Sequence, residues 1–377
     1  MVEDYPKYDY LDIQQTFFVW YRSEKGYYWE WEAEPGGPFD ISLAGTTRPL
    51  TDETKRQLRK EIQPPFLLEL PETTGYLPRR VLEEETKLFL EFAELATTCE
   101  GILKFANKYG RLTYGETQVQ TPKHRKTVFG ESLGFWQWEI RDMAWAVWVW
   151  EALKEEDEGF LRRVIYWSDD GQAVGYVLLY PKEVLTRFES AAEAVKAIFA
   201  RNNQQLPEDT KISWGWLASE KVNREVFRRC RPGDFFLPAR YLLQATINEK
   251  LKVYATRPVL LLGDKNNLVP YLMPENLLGA MWLQLYFAAV GEKRFKRCSA
   301  CGDWEDVTDK TAAWTKHEAC ANKKRVEKYR QAVRKAQRLY REGKPLEEIA
   351  AELGRPIEWV RKQVAGLGAT ATGRGKS

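Results

Sequence analysis

The chain has 377 residues, 44% hydrophobic and 29% charged, and at about 100–200 residues per domain this predicts two or three domains rather than one core. The longest apolar stretch, Leu277 to Val290, is interrupted by Gln284 and falls short of the ~18 uncharged residues of a membrane span, so no membrane contact is expected. The net charge of +3 divides unevenly: residues 293–377 hold 21 Lys+Arg and 11 Asp+Glu, which leaves 36 and 43 of the 57 basic and 54 acidic residues in the rest. An acidic body with a basic end points to a nucleic-acid contact confined to that end.

The N-terminal residues Met1-Val-Glu-Asp-Tyr-Pro6 carry acidic groups and no apolar segment flanked by basic ones. No secretory leader is expected, and the cytoplasm is the expected compartment. Thr16–Trp20 and Tyr27–Trp31 are dense in aromatics and flank the polar Arg22–Gly26, a composition that predicts a hairpin. Leu88, Phe92, Leu95, Cys99, Ile102 and Ala106 recur at helical steps, with Gly110 as a stop and Thr97-Thr-Cys-Glu100 as a capping box that divides the stretch into two helices. Lys123-His-Arg-Lys126 reads as an exposed loop.

From Ser132 to Leu153, Trp136, Ile140, Met143, Val147 and Trp150 keep helical spacing, although the run Trp148-Val-Trp150 alternates locally. Arg163–Trp167 and Ala173–Tyr180 form a hairpin around Ser168-Asp-Asp-Gly171. One helix is predicted over Glu183–Arg201. A further hairpin joins Val259–Leu262 to Leu268–Leu272, and the next helix begins near Pro274-Glu-Asn276. No period of 20–50 residues repeats. Because strands come as hairpins between helices, the fold class is α+β and multi-domain rather than doubly wound. The expected domains are an aromatic-rich body over 1–292, in which a subdomain split near 115–130 stays open, a finger with a basic helix over 293–341, a helix-turn-helix over 342–366 and a flexible tail over 367–377.

Twelve of the 15 Trp residues precede residue 297. Core packing explains most of them, since Trp136, Trp145, Trp148 and Trp150 lie at mostly helical spacings; an aromatic-lined pocket is the alternative.

Three of the five cysteines, Cys298, Cys301 and Cys320, fall close together, and His317 is one of only two histidines. A CxxC knuckle followed by a His-x-x-Cys pair supplies the thiolate and imidazole set that tetrahedral Zn²⁺ takes readily. A redox CxxC would open a helix after a strand, and Gly302-Asp-Trp-Glu-Asp306 does not read that way. Four protein ligands close the coordination sphere, so one structural Zn²⁺ per chain is expected.

Cys298, Cys301 and Cys320-Ala-Asn-Lys323 resemble the CGNR-type zinc finger of bacterial proteins, predicted transcription regulators in which a Cys-Gly-Asn-Arg run leads into a basic helix. The resemblance covers about 40 of the 377 residues. Ala321 replaces the glycine, Lys323 the arginine, and His317 stands where the family usually has cysteine. The stretches Leu88–Lys108 and Leu277–Cys298 are similar in pattern to bodies found upstream of such fingers. The resemblance implies nucleic-acid binding by the C-terminal part.

Between Ala321 and Arg341 lie nine basic residues (Lys323, Lys324, Arg325, Lys328, Arg330, Arg334, Lys335, Arg338 and Arg341) and one acidic residue, Glu327. Val326, Tyr329, Val333, Ala336 and Tyr340 form an apolar stripe at helical spacing, so the segment can dock while its basic faces meet phosphate. Gln337 to Val364 resembles a helix-turn-helix, with Leu339, Gly343, Ile349, Ala350, Leu353, Gly354, Ile357, Val360 and Val364 at its core and turn positions. Pro345 and Pro356 stand at its helix starts in place of Ser or Thr. A recognition helix over Ile357–Val364 turns Glu358, Trp359, Arg361, Lys362 and Gln363 outward. Arg361 and Gln363 are expected to read base edges, and Arg355 and Lys362 to meet phosphate.

No Walker-type loop, GxGxxG, nucleophile elbow or HExxH occurs, so an enzyme is not expected. The sequence predicts a transcription regulator that binds double-stranded DNA through its C-terminal part while the body senses a small ligand or protein partner. The alternative is a nucleic-acid-binding subunit of a larger, phage- or defence-related assembly with little sequence readout.

Overall fold

A computed structural model describes residues 19–32, 34–35, 65–71, 75–79, 85–115, 117–121, 124–199, 206–207, 210–254, 256–262, 268–291, 294–308, 310–311 and 314–365. The protein is α+β, and the chain divides into two compact units, Met1–Lys293 and Arg294–Ser377.

In the first unit β1 (Trp20–Ser23) pairs antiparallel with β5 (Tyr76–Arg79). A five-stranded sheet places β2 (Tyr27–Glu30), β4 (Phe66–Glu69), β7 (His124–Ser132), β6 (Thr117–Thr121) and β3 (Glu34–Pro35) side by side in that order. The hairpin expected between Thr16–Trp20 and Tyr27–Trp31 does not form; its described residues join two different sheets, and 16–18 lie outside the described residues. The reason is a corner. Gly26 sits at φ +91°, its N–H donates to Ser23 Oγ at 3.1 Å and the Ser23 N–H donates to the Tyr27 hydroxyl at 2.9 Å, which turns the chain out of the ladder. The segment His124–Lys126, read as loop, is the start of β7, paired to β6 through Thr121 and His124; Lys123 lies outside the described residues.

Two helices, α1 (Leu88–Ala93) and α2 (Cys99–Tyr109), occupy the stretch expected to divide in two. Thr98 rather than Thr97 caps α2: in extended conformation, its Oγ1 accepts from Gly101 N–H at 3.2 Å. The helix stops at Gly110, whose φ of +106° only glycine adopts freely. The helix α3 (Leu133–Glu155) starts at Ser132, whose hydroxyl accepts from Phe135 N–H at 3.1 Å. It is buried nearly all round, including Trp136, Ile140, Met143, Val147 and Trp150, which explains the alternation near Trp148.

Next come α4 (Glu158–Val164) and a three-stranded sheet of β8 (Ile165–Trp167), β9 (Ala173–Tyr180) and β10 (Lys211–Ser219). The expected hairpin at 168–171 is present, closed by Ser168, Asp170 and Gly171. Where one helix was expected over 183–201 there are two, α5 (Lys182–Leu185) and α6 (Ala191–Phe199). Ser190 Oγ accepts from Glu193 N–H while the Glu193 carboxylate accepts from Glu189 N–H; this cap restarts the helix.

The unit is completed by α7 (Arg224–Arg229), α8 (Phe236–Val253), the expected hairpin of β11 (Arg257–Leu262) with β12 (Leu268–Met273), and α9 (Leu277–Ala289). Asn276 caps α9 by accepting from Gly279 N–H at 2.8 Å. The helices α1, α3, α8 and α9 pack together. Trp136, Trp282, Tyr109, Phe89 and Phe92 are among the largest fully buried side chains, so these aromatics serve core packing. An ionic group crosses this core: Lys250 lies 2.8 Å from both Glu139 and Asp142, and the Tyr254 hydroxyl donates to Glu139 at 2.6 Å.

The second unit contains a small hairpin of β13 (Phe295–Arg297) and β14 (Trp304–Asp306). Three helices follow: α10 (Glu318–Arg341), α11 (Leu346–Leu353) and α12 (Ile357–Val364). The last turns of α10 pack with α11 and α12 through Ala336, Leu339, Ile349 and Val360, so the helix that starts beside His317 and ends at Arg341 contributes its C-terminal turns to the helical cluster. No helix among the described residues is long and apolar enough to cross a membrane.

Candidate metal centre and basic helices

The β13–β14 hairpin presents residues 298–303 as a tight loop. Gly302 N–H donates to Cys298 O and Cys298 N–H to Asp303 O, both at 2.8 Å, and Gly302 takes φ +82°. Thr315 O accepts from Ser299 N–H at 2.9 Å, which brings the 314–317 segment against the loop. His317 is then the N-cap residue of α10, and Cys320 lies in its first turn.

This folding gathers Cys298, Cys301, His317 and Cys320 so that one ligand atom from each lies within 4.8 Å of the others. His317 Nδ1 is 3.4 Å from Cys301 Sγ and 3.8 Å from Cys320 Sγ. A tetrahedral ion with metal–sulfur bonds of about 2.3 Å and metal–nitrogen bonds of about 2.0 Å needs ligand separations of roughly 3.5–3.8 Å. The four residues therefore fit one metal ion, with Cys298 buried and Cys301 exposed. Burial raises the Cys298 thiol, but the N–H groups of Ala300, Cys301 and His317 outweigh it and bring its pKa down to about 6. For Cys301 the Asp303 N–H favours the thiolate, yet lost hydration and the sulfurs of Cys298 and Cys320 prevail and push it up to about 12. Neighbouring thiols that share hydrogens in this way need a cation before all can ionise.

Around the ligands sit residues that spacing did not single out. His317 Nε2 is 3.1 Å from Glu305 Oε2. Lys310 forms an ion pair with the other oxygen of Glu305, and the Trp314 ring meets the His317 ring edge-on at 5.6 Å. Only the hairpin pairing of Lys296 with Glu305 brings this carboxylate to the imidazole.

Along α10, Lys323, Arg330, Arg334, Arg338 and Arg341 are exposed and recur at steps of seven, four, four and three, which aligns them on one face. At 1.5 Å per residue the row extends about 27 Å. Among the described residues, Arg338 approaches Glu342 at 3.7 Å, and Lys335 is held by Glu352 at 2.8 Å. Lys328 is exposed on another face; the side chains of Lys324 and Arg325 lie outside the described ones.

Around the turn, Pro345 and Pro356 are N-cap residues of α11 and α12, and Gly354 takes φ +58°. Of the residues expected to face outward, Glu358, Arg361 and Lys362 are exposed, and Arg361 is tied to Glu358 at 2.7 Å. Trp359 is half-buried: its ring lies 5.8 Å from that of Tyr329, with the exposed Arg355 guanidinium 5.6 Å away. Gln363 is also half-buried, and its backbone carbonyl accepts from Gln337 Nε2 at 3.2 Å. Packing against the helical cluster takes up the Trp359 ring. Compared with protein-family models, curated proteins and solved structures, the chain matches none.

Proposed function

We propose that the C-terminal unit binds nucleic acid, double-stranded DNA in the first instance, and that a structural Zn²⁺ held by Cys298, Cys301, His317 and Cys320 orders the helix that does so. Three thiolates and one imidazole suit Zn²⁺ among the common divalent ions, and four protein ligands leave no position for a substrate. We read the protein as a binding protein rather than an enzyme, with a body that meets a ligand or partner.

The observation that carries this reading is the basic row Lys323, Arg330, Arg334, Arg338 and Arg341 on the helix whose start supplies two of the four ligands. Like charges on one face are relieved by phosphate, and fixing the helix start fixes where they are presented. Lys328 on another face of α10, Arg355 and Lys362 add exposed positive charge to the same unit.

Transcription regulation requires sequence readout, and one observation favours the other reading, a subunit that holds nucleic acid with little readout. Trp359 and Gln363 are half-buried and Arg361 is tied to Glu358, which leaves few groups on α12 to reach base edges. Binding to random and selected duplexes over a salt series separates the two. A regulator retains some sequence about 10³-fold tighter than random DNA; a shape-reading subunit binds all duplexes alike with a steep salt slope. No binding to any duplex overturns both.

A further inference from the structure

We infer that Glu305 is a positioning residue for the metal centre: it holds the Nε2 proton of His317, so that His317 ligates through Nδ1. This rests on the metal reading above, and it assigns a role to a side chain outside the ligand set.

Neutral imidazole has one N–H and one lone pair, so the partner of one nitrogen decides what the other can do. A carboxylate only accepts. Glu305 Oε2 lies 3.1 Å from Nε2, which places the proton on Nε2 and the lone pair on Nδ1. That lone pair faces the thiols of Cys301 at 3.4 Å and Cys320 at 3.8 Å. Nδ1 alone is on the side where an ion can reach all four residues.

The carboxylate is itself held. Lys310 is ion-paired to its Oε1 and lies 5.5 Å from the centre of the Trp314 ring, whose edge-on contact with His317 closes the circuit. Glu305 also sits in β14, paired with Lys296 of β13 immediately before the CxxC loop. One hairpin therefore supplies two thiols directly and the imidazole's orientation indirectly. Such outer partners raise ligand basicity and fix ring orientation, and their loss typically weakens metal binding by about 10–100-fold.

The test uses the full-length protein stripped of metal, reloaded with Co²⁺ and then titrated with Zn²⁺ in competition. Glu305→Ala should bind Zn²⁺ about 10–100-fold more weakly than the wild-type protein. Glu305→Gln, whose amide oxygen still accepts from Nε2, should lose less. Nitrogen NMR of the Zn²⁺-loaded wild-type protein, which needs no variant, should show His317 protonated at Nε2 and metal-shifted at Nδ1. Metallation at Nε2, or a Glu305→Ala variant that binds as tightly as the wild-type protein, overturns the role of Glu305 and leaves the ligand set standing. A wild-type protein that takes neither ion, or a His317→Ala variant that binds unchanged, overturns the ligand set itself and Glu305's role with it.

Discussion

The body and the C-terminal unit keep their folds by different means. In the body, α3 is buried nearly all round by α1, α8 and α9, and rings such as Trp136 and Trp282 are 0% exposed. In the C-terminal unit the buried apolar side chains fall into two small groups. Phe295, Trp304 and Val307 lie by the metal loop, and Ala336, Leu339, Ile349, Val360 and Val364 lie among the helices. On α10 between them, Val326 and Tyr329 are each 44% exposed. Cores this small rarely hold a fold without a staple, which is the role the metal ligands are placed to fill.

Removing the ion should therefore give the largest effect and give it in one unit only. Structural zinc contributes about 10–16 kcal/mol in small fingers. Chelation, or Cys298→Ser, should strip one Zn²⁺ per chain and leave the amides of 295–320 exchanging freely. Amides of α3 and α9 should stay protected under the same conditions. If both regions or neither lost protection, the contrast between the units would be wrong.

The converse experiment targets the body. Lys250 is nearly enclosed between Glu139 and Asp142 at 2.8 Å each. Burial lowers the pKa of the Lys250 ammonium, but these two carboxylates outweigh it and keep it raised. Removing one member of a buried pair leaves an uncompensated charge and typically costs about 3–5 kcal/mol. Lys250→Ala should lower the body's denaturation midpoint by a corresponding amount while metal content stays at the wild-type level. A double variant that also replaces Glu139 by Gln should recover part of the loss.

Which of these features could be read in advance depends on whether they are local in sequence. The ligand set was legible because Cys298, Cys301, His317 and Cys320 fall at short spacings, and the Asn276 and Ser132 helix starts lie beside the periodic runs they cap. The corner at Gly26 was not, because its composition alone does not distinguish a hairpin turn from a turn that leaves the sheet; beside the bonds of Ser23 and Tyr27, the distant Asn107 on α2 holds the corner by accepting from Tyr27 N–H at 2.9 Å. Glu305 was not legible either, since its role depends on strand pairing. The segments that form β4, β10 and α8 raised no expectation. In β10 the alternating large residues Ile212, Trp214 and Trp216 are 40–49% exposed, although alternating apolar residues usually mark the buried face of a strand.

A smaller effect sharpens the contrast through pH. Burial, partly offset by the Ser23 N–H bond, pushes the Tyr27 phenol up from 10.0 to about 12. Above pH 10 the unfolded chain ionises this group while the folded body keeps its proton. Its contribution is thus complete below pH 10 and is lost as pH rises to 12, about 2–3 kcal/mol in all. Chemical denaturation at successive pH values should show this loss in the wild-type body and a flatter profile in Tyr27→Phe. An unchanged profile in that variant would show that Tyr27 does not govern the alkaline limit.

The smallest effect concerns how helices begin. In the body, Thr98, Ser132, Asp157 and Asn276 each accept a backbone N–H at a helix start; in the C-terminal unit, His317, Pro345 and Pro356 stand at that position and make no such bond. Ser132→Ala should therefore cost the body about 1 kcal/mol. Supplying the missing cap by Pro356→Ser is not the mirror image of that loss. The hydroxyl should contribute about 1 kcal/mol, but replacing a proline whose φ of −58° already suits its place frees the unfolded chain by about 0.4–1 kcal/mol. The two nearly cancel. Denaturation midpoints should thus fall for Ser132→Ala and stay almost level for Pro356→Ser, because α12 gains from a stiff entry what α3 gains from a hydrogen bond.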